Sequence, residues 1–412
     1  MNVISLYSGA GGIDLGLEAA GFQTRVAVEF EPDAVATLRA NRDWTVLDQD
    51  IHLIPSQDLL TSGHLGEGEV DLLAGGPPCQ PFSKSGYWAK GDARRLDDPR
   101  ASTLDQYLRV LRDLMPQVFL LENVPGIGFK DKDEGLALLR STVEAINRRT
   151  GTRYEPQVFS INTADYGIPQ ERQRVFVIGD RDGRLFHFPE PTHRSFGAFD
   201  GTELPLDLLR EPALTAWDAI GDLENDESPE LRVRGKWAEL LPSIPEGQNY
   251  LYHTDRGEGL PLFGWRRRYW SFLLKLAKRR PSWTITAQPG SAIGPFHWKN
   301  RRLSSTELMR LQTFPDGYRI IGSQSSIRKQ LGNAVPCAMA EILGRAIRNQ
   351  FLGNPFPQNA GIRLIPLRRV AVPPEEPVVP VPERYLNLVA THAPHPGTGK
   401  GYGAAARAKT AV

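Results

Sequence analysis

Apolar and polar positions along this chain switch between two periods from the first residues onward. Short β-prone apolar runs at Val3 to Tyr7, Arg25 to Glu29, Val70 to Ala74, Phe119 to Glu122 and Arg174 to Gly179 predict strands. Between them, Gly12 to Ala20, Pro32 to Asn41, Ser102 to Leu114 and Gly135 to Arg149 carry helical patterns. Strands alternating with helices imply βαβ units, so the expected fold is α/β: a doubly wound, mostly parallel sheet covered by helices.

After Gly179 the alternation dissolves. Phe188 to Pro191 is proline-punctuated, and residues 191 to 300 are irregular yet hold six of the eight tryptophans, which predicts a smaller second domain. Helical periodicity returns at Ser304 to Gln312 and at Pro336 to Asn349, where Ala338, Ile342 and Ala346 recur at spacing four. The chain therefore divides into residues 1–190, a first domain; 191–300, a second; 301–352, a return to the first with a closing helix; and 353–412. That last stretch has ten prolines and a Gly/Ala-rich end, which predict a mostly disordered tail.

Composition narrows the class. Two cysteines, Cys79 and Cys337, in 412 residues leave no disulfide framework, and the eight histidines show no ligand spacing, so no metal is expected. No secretory leader and no membrane-length apolar run are visible, which predicts a soluble, cytoplasmic protein. Net charge is only +1, but unevenly spread. Asp200 to Glu258 holds fourteen acidic and five basic residues, whereas Gly259 to Thr306 holds ten Lys or Arg and no acid, interleaved with Trp265, Tyr269, Trp270, Trp283 and Trp298. Such a stretch is either a solvated face or a surface for a polyanion such as DNA.

Candidate chemistry clusters where predicted strands end. Cys79 follows Gly75-Gly76-Pro77-Pro78, and two prolines leave the backbone before the thiol little freedom, as suits an oriented nucleophile. Ser8-Gly9-Ala10-Gly11-Gly12 follows the first strand and opens a helix, with Glu29 ending the next strand: a nucleotide-binding pattern that a dehydrogenase would share. Asp50 reads equally as an adenine ligand or as a loop acid. Glu122, at a strand end, reads as a proton donor raised by partial burial or as a structural hydrogen-bonder. Arg172 and Arg174 share one face of an extended segment and suit either a clamp on a carbonyl oxygen or phosphate, or a pair of salt bridges.

Taken in order, these residues resemble the DNA cytosine-5 methyltransferases. The resemblance runs from Val3 to about Gln350 through Ser8 to Gly12, Pro78-Cys79-Gln80, Glu122-Asn123-Val124 and Gln170 to Arg174. It continues through Arg302-Leu303-Ser304, Leu311 to Pro315 and Gln330-Leu331-Gly332-Asn333-Ala334-Val335-Pro336. It implies the Rossmann-like sheet of S-adenosylmethionine-dependent enzymes, with Tyr7, Gly9, Gly11, Glu29, Asp50, Pro78 and Asn333 at the cofactor. It also implies Cys79 adding to carbon 6 of a flipped cytosine, Glu122 at ring N3 and Arg174 at O2, with Arg172 beside it. Residues 191–300 correspond to the family's target-recognition region. DNA contacts are expected from Ser83, Arg266, Arg267, Arg268, Arg279 and Arg280, and Cys337 is expected to pack.

Three other readings remain on the sequence. An RNA cytosine-5 methyltransferase would share the fold, but its Cys-Phe-Thr signature is absent. A catalytically idle DNA-binding relative would not need Cys79 beside Glu122, and a nicotinamide oxidoreductase would not need Pro-Pro-Cys. The short amino terminus and single target region resemble bacterial or phage restriction-modification enzymes. These imply a monomer acting on double-stranded DNA near the nucleoid, with a separate cognate endonuclease.

Overall fold

The computed structural model describes residues 1–78, 102–124, 134–194, 210–264, 270–287, 290–357, 361–369 and 371–389. Strands β1 (Asn2–Leu6), β2 (Gln23–Glu29), β3 (Thr45–Asp48), β4 (Leu72–Gly75), β5 (Val118–Asn123), β6 (Gln157–Asn162) and β8 (Gln173–Asp180) form one seven-stranded sheet, with β7 (Gln170–Glu171) outside it. The order is β3-β2-β1-β4-β5-β8-β6. The first five run parallel, while β8 is antiparallel to both β5 and β6. Strands β4 and β5 are buried along their whole length, and the run Val118 to Leu121 shows why: strands covered on both faces are continuously apolar.

Helices cover both faces. Helices α3 (Ser56–Gly63), α4 (Ser102–Leu114) and α5 (Glu134–Thr150) bury Leu59, Leu108, Leu111, Leu139 and Val143 against one side. On the other, α1 (Gly12–Ala19) packs against the late helix α9 (Cys337–Phe351), so the chain returns to its first βα unit near its end. The approach is backbone-close: a Cβ on Gly16 would stand 2.5 Å from the Cβ of Ala340, and one on Gly344 would stand 2.7 Å from that of Ala20. Helix α2 (Pro32–Asn41) begins at the predicted residue. Strands β3 and β6 and helices α3 and α8 (Gln324–Asn333) were not among the predicted elements.

The irregular region is built from the short helix α6 (Ala216–Ile220), single 3-10 turns and two-residue strands. One core joins Leu15 of α1 to Trp217, Leu276, Trp298, Leu308 of α7 (Ser305–Leu311) and Leu331 of α8. A second gathers Leu240, Ile244, Tyr250, Phe263, Phe272 and Tyr385.

Two expectations are corrected here. The proline-rich tail is not mostly disordered over its described part: residues 361–369 and 371–382 form a strap without regular structure, closed by a 3-10 turn at Glu383–Leu388. Proline-rich chain has no internal hydrogen bonds to satisfy its amides, so it must dock them elsewhere. Glu341 accepts from Arg363 N and Leu364 N, Asp218 from Arg369 N, Glu246 from Glu376 N and the Pro242 carbonyl from Val379 N. Tyr385 then stacks on Trp237 at 5.8 Å. The basic run is also less available than its sequence implies. Lys275 is buried with its ammonium on the Ile244 carbonyl, Lys278 lies between Glu246 and Glu376 at 2.7 and 2.9 Å, and Arg301 meets Glu307 at 2.7 Å. The run is acid-free only along the chain; acids outside it pair with Lys278 and Arg301, and a backbone carbonyl holds Lys275.

Candidate active site

The carboxyl ends of β1 to β3 frame an open cradle. Tyr7 leaves β1 with φ 60°, and Gly9 and Gly11 follow at φ 54° and 80°, a left-handed run that turns the backbone outward before α1. A Cβ on Gly9 would meet nothing within 4 Å, so the space above the loop is open, whereas Gly11 is hemmed by Leu38 and the Tyr318 hydroxyl at 3.0 Å. No side chain caps α1, which leaves its first amides to an anionic ligand group. The Tyr7 hydroxyl donates to the Thr103 carbonyl at 2.7 Å and ties this loop to α4.

Glu29 holds the cradle in shape. One carboxylate oxygen accepts from Gly9 N at 2.7 Å and the other from Phe30 N and Glu31 N, both at 2.9 Å. Burial raises its pKa, and those three amides pull it back down. Beside it Phe30 is 52% exposed, an apolar ring left in solvent next to a buried acid. Sequence reasoning missed Phe30; its signal is an aromatic directly after the strand-ending acid. Asp50 caps the 3-10 turn Ile51–Leu53, accepting from His52 N at 3.0 Å, and that bond with the nearby imidazole holds its pKa below the usual carboxylate range.

The second half of the site lies at the ends of β4, β5 and β8. Glu122 and Arg174 are nearly buried and meet through Nε at 2.8 Å. Burial raises the Glu122 pKa, while the charges of Arg174 and Arg172 oppose the rise. The end of β4 runs alongside: Gly75 is in register with Leu121, and a Cβ on Gly76 would stand 3.0 Å from Glu122 Oε2. Glycine there lets the chain pass the carboxylate on its way to Pro77 and the exposed Pro78. Cys79, Ser83, Arg266, Arg267 and Arg268 lie outside the described residues.

The two arginines do not act as the expected clamp. Arg172 is fully buried and its guanidinium is spent on the protein: Nη2 donates to the carbonyls of Gly332 and Ala334 at 2.7 and 2.8 Å, and Nη1 to that of Ile285 at 3.3 Å. The strand breaks at Arg172 between β7, which pairs with β9 (Ser282–Trp283), and β8, so the two side chains serve different partners. Asn333, exposed at the end of α8, sits between the two gripped carbonyls. Arg279 and Arg280 are exposed, and Arg279 donates to the Val372 carbonyl of the strap at 3.0 Å. Cys337 is buried under α1.

An open glycine loop, an uncapped helix start, a fixed Glu29, an exposed ring and Asp50 fit an adenosyl ligand with a charged amino-acid end. With the seven-stranded sheet, they are those of a nucleotide-binding α/β protein. The family is more specific: residues 1–349 match the model of the C-5 cytosine-specific DNA methylases, and the chain belongs to that family. Type II methyltransferase M.SacI of Streptomyces achromogenes is 40% identical over 391 residues, 87% of this chain and 97% of that one. Type II methyltransferase M1.HphI of Haemophilus parahaemolyticus is 32% identical over 356 residues, covering 84% and 86%. The solved structure of DNMT2 from Spodoptera frugiperda has a TM-score of 0.56 at 17% identity, covers 84% of this chain and 99% of that one, and shows the common fold. The protein is a DNA cytosine-5 methyltransferase that uses S-adenosylmethionine. Among the described residues no helix is long and apolar enough to cross a membrane.

Proposed function

We propose that Cys79 is the nucleophile, that Glu122 and Arg174 bind the ring of a flipped cytosine, and that residues 191–300 select a word in double-stranded DNA. The observation carrying this reading is the near-buried Glu122–Arg174 pair, passed by the chain at Gly76 three residues before Cys79. S-adenosylmethionine supplies an electrophilic methyl group. Carbon 5 of cytosine is a poor nucleophile, so the Cys79 thiolate adds to carbon 6 and the displaced electron pair makes an enamine. Glu122 hydrogen-bonds or protonates N3, and the remaining donors of Arg174 hold O2, so both meet charge as it develops. After carbon 5 takes the methyl, a base removes its proton and the electron pair expels the thiolate.

Tyr7, Gly9, Gly11, Glu29, Phe30, Asp50, Pro78 and Asn333 hold the adenosyl and methionine parts. Arg172 is a positioning residue behind Asn333. The relatives are named Type II methyltransferases, which supports a restriction-modification role; we infer a monomer in the bacterial cytoplasm that marks DNA against a separate endonuclease. Sequencing of 5-methylcytosine in DNA and tRNA from cells expressing the protein tests this. Methylation at one recurrent word in DNA, absent for Cys79→Ala, is expected; methylation confined to tRNA would overturn it.

A further inference from the structure

Near the seam between the catalytic sheet and the irregular region, two arginines stand out against their neighbours. Cations around them are matched: Lys299 with Glu376 at 3.0 Å, Arg301 with Glu307, Arg310 with Asp222 and Asp316, and Lys329 with Glu31 at 2.9 Å. Arg302 and Arg328 are both partly buried, and among the described residues no acid acts on either.

The fold brings Arg302 to Ser291 and the helix that carries Arg328 to Ala287. Arg302 Nη2 donates to the Ser291 carbonyl at 3.2 Å. Gly332 of α8 passes Ala287 so closely that a Cβ there would stand 2.5 Å from its Cα. Arg328 is one turn earlier on that helix face. Arg172 ties this seam to the active site by gripping the Ile285 and Gly332 carbonyls together. Burial holds both guanidiniums below the ordinary arginine value, and the charge of Arg302 lowers Arg328 further, to about 10. Two half-desolvated like charges are unfavourable unless an anion joins them.

We propose that Arg302 and Arg328 hold one phosphate of the DNA backbone beside the catalytic cleft. The proposal rests on the DNA reading above. A phosphodiester supplies what the fold withholds, a compact anion able to accept from two guanidiniums at once.

The test uses the full chain and a duplex on which the wild type incorporates methyl groups, so that failure of the DNA reading shows first in the wild type. Binding is measured against salt for Arg302→Gln, Arg328→Gln, the double variant and Arg328→Lys, with the melting temperature of each free protein. Loss of one shared phosphate contact lowers the slope of log K against log salt by about 0.9. The double variant should show that decrement and each glutamine variant no more than it, Arg328→Lys should keep the wild-type slope, and the free proteins should melt no lower than wild type. An unchanged slope in the double variant, or a lowered melting temperature in Arg328→Gln, makes the pair structural and overturns the proposal.

Discussion

Arg172 holds Asn333 from behind without touching its side chain, gripping the carbonyls of the residues on either side. A buried guanidinium used this way fixes a loop in place of a packed side chain. Replacing Arg172 by Met leaves those carbonyls without donors, at about 1–3 kcal/mol each, so the variant should melt measurably lower. If the role is positioning, KM for S-adenosylmethionine should rise more than kcat falls. Loss of kcat alone would place Arg172 at the reacting base instead.

Glu122→Gln keeps the shape of the site and removes the exchangeable proton. Turnover should fall by about 10²- to 10⁴-fold, the usual worth of a positioned general acid. The variant also reports on stability. Because burial raises the Glu122 pKa above its unfolded value, its contribution is fully present below the unfolded pKa and is lost as pH rises through the folded one. Glutamine has no such loss. Between acid and neutral pH the melting temperature of the variant, relative to wild type, should therefore rise.

Phe30 is exposed beside Glu29, where an adenine face would cover it. Stacking of a base on an aromatic ring is worth about 1–3 kcal/mol, so Phe30→Ala should weaken S-adenosylmethionine binding by about 5- to 150-fold. Calorimetric titration of the cofactor in the absence of DNA checks this, and unchanged affinity would remove Phe30 from the site.

The strap predicts a truncation phenotype. Ending the chain at residue 360 removes the amides held by Glu341, Asp218 and Glu246, the Glu376 partner of Lys278, and the Tyr385 ring. Tyr385→Ala alone should cost about 3 kcal/mol, as for other large buried rings, read by denaturant titration. A truncated chain as stable as the full one would show that the strap contributes nothing.

The catalytic half of the fold was the legible half. Strands β1, β2, β4, β5 and β8 are apolar runs; Glu29 ends β2 and Glu122 is next to last in β5, where open α/β sheets place ligands. Strand β3 escaped notice because it is four half-exposed residues, and α8 because it is polar and carries Gly332. The strap and the pairing of Lys278 were hidden for a different reason. Lys278 meets Glu246 from 32 residues away and Glu376 from 98, and composition counts charges without knowing which will face each other. The separate tasks of Arg172 and Arg174 were likewise invisible, since spacing places two side chains but does not say that the strand breaks between them.

In the proposed reaction Cys79 attacks carbon 6 while Glu122 and Arg174 hold the ring. If so, the reaction ends only when hydrogen leaves carbon 5, and fluorine there cannot leave as a cation. Duplex DNA carrying 5-fluorocytosine in the methylated word, incubated with S-adenosylmethionine, should become covalently joined to the protein through Cys79. The adduct should survive denaturation and retain the transferred methyl group, and Cys79→Ala should give none. No adduct on a word that the enzyme otherwise methylates would contradict the mechanism.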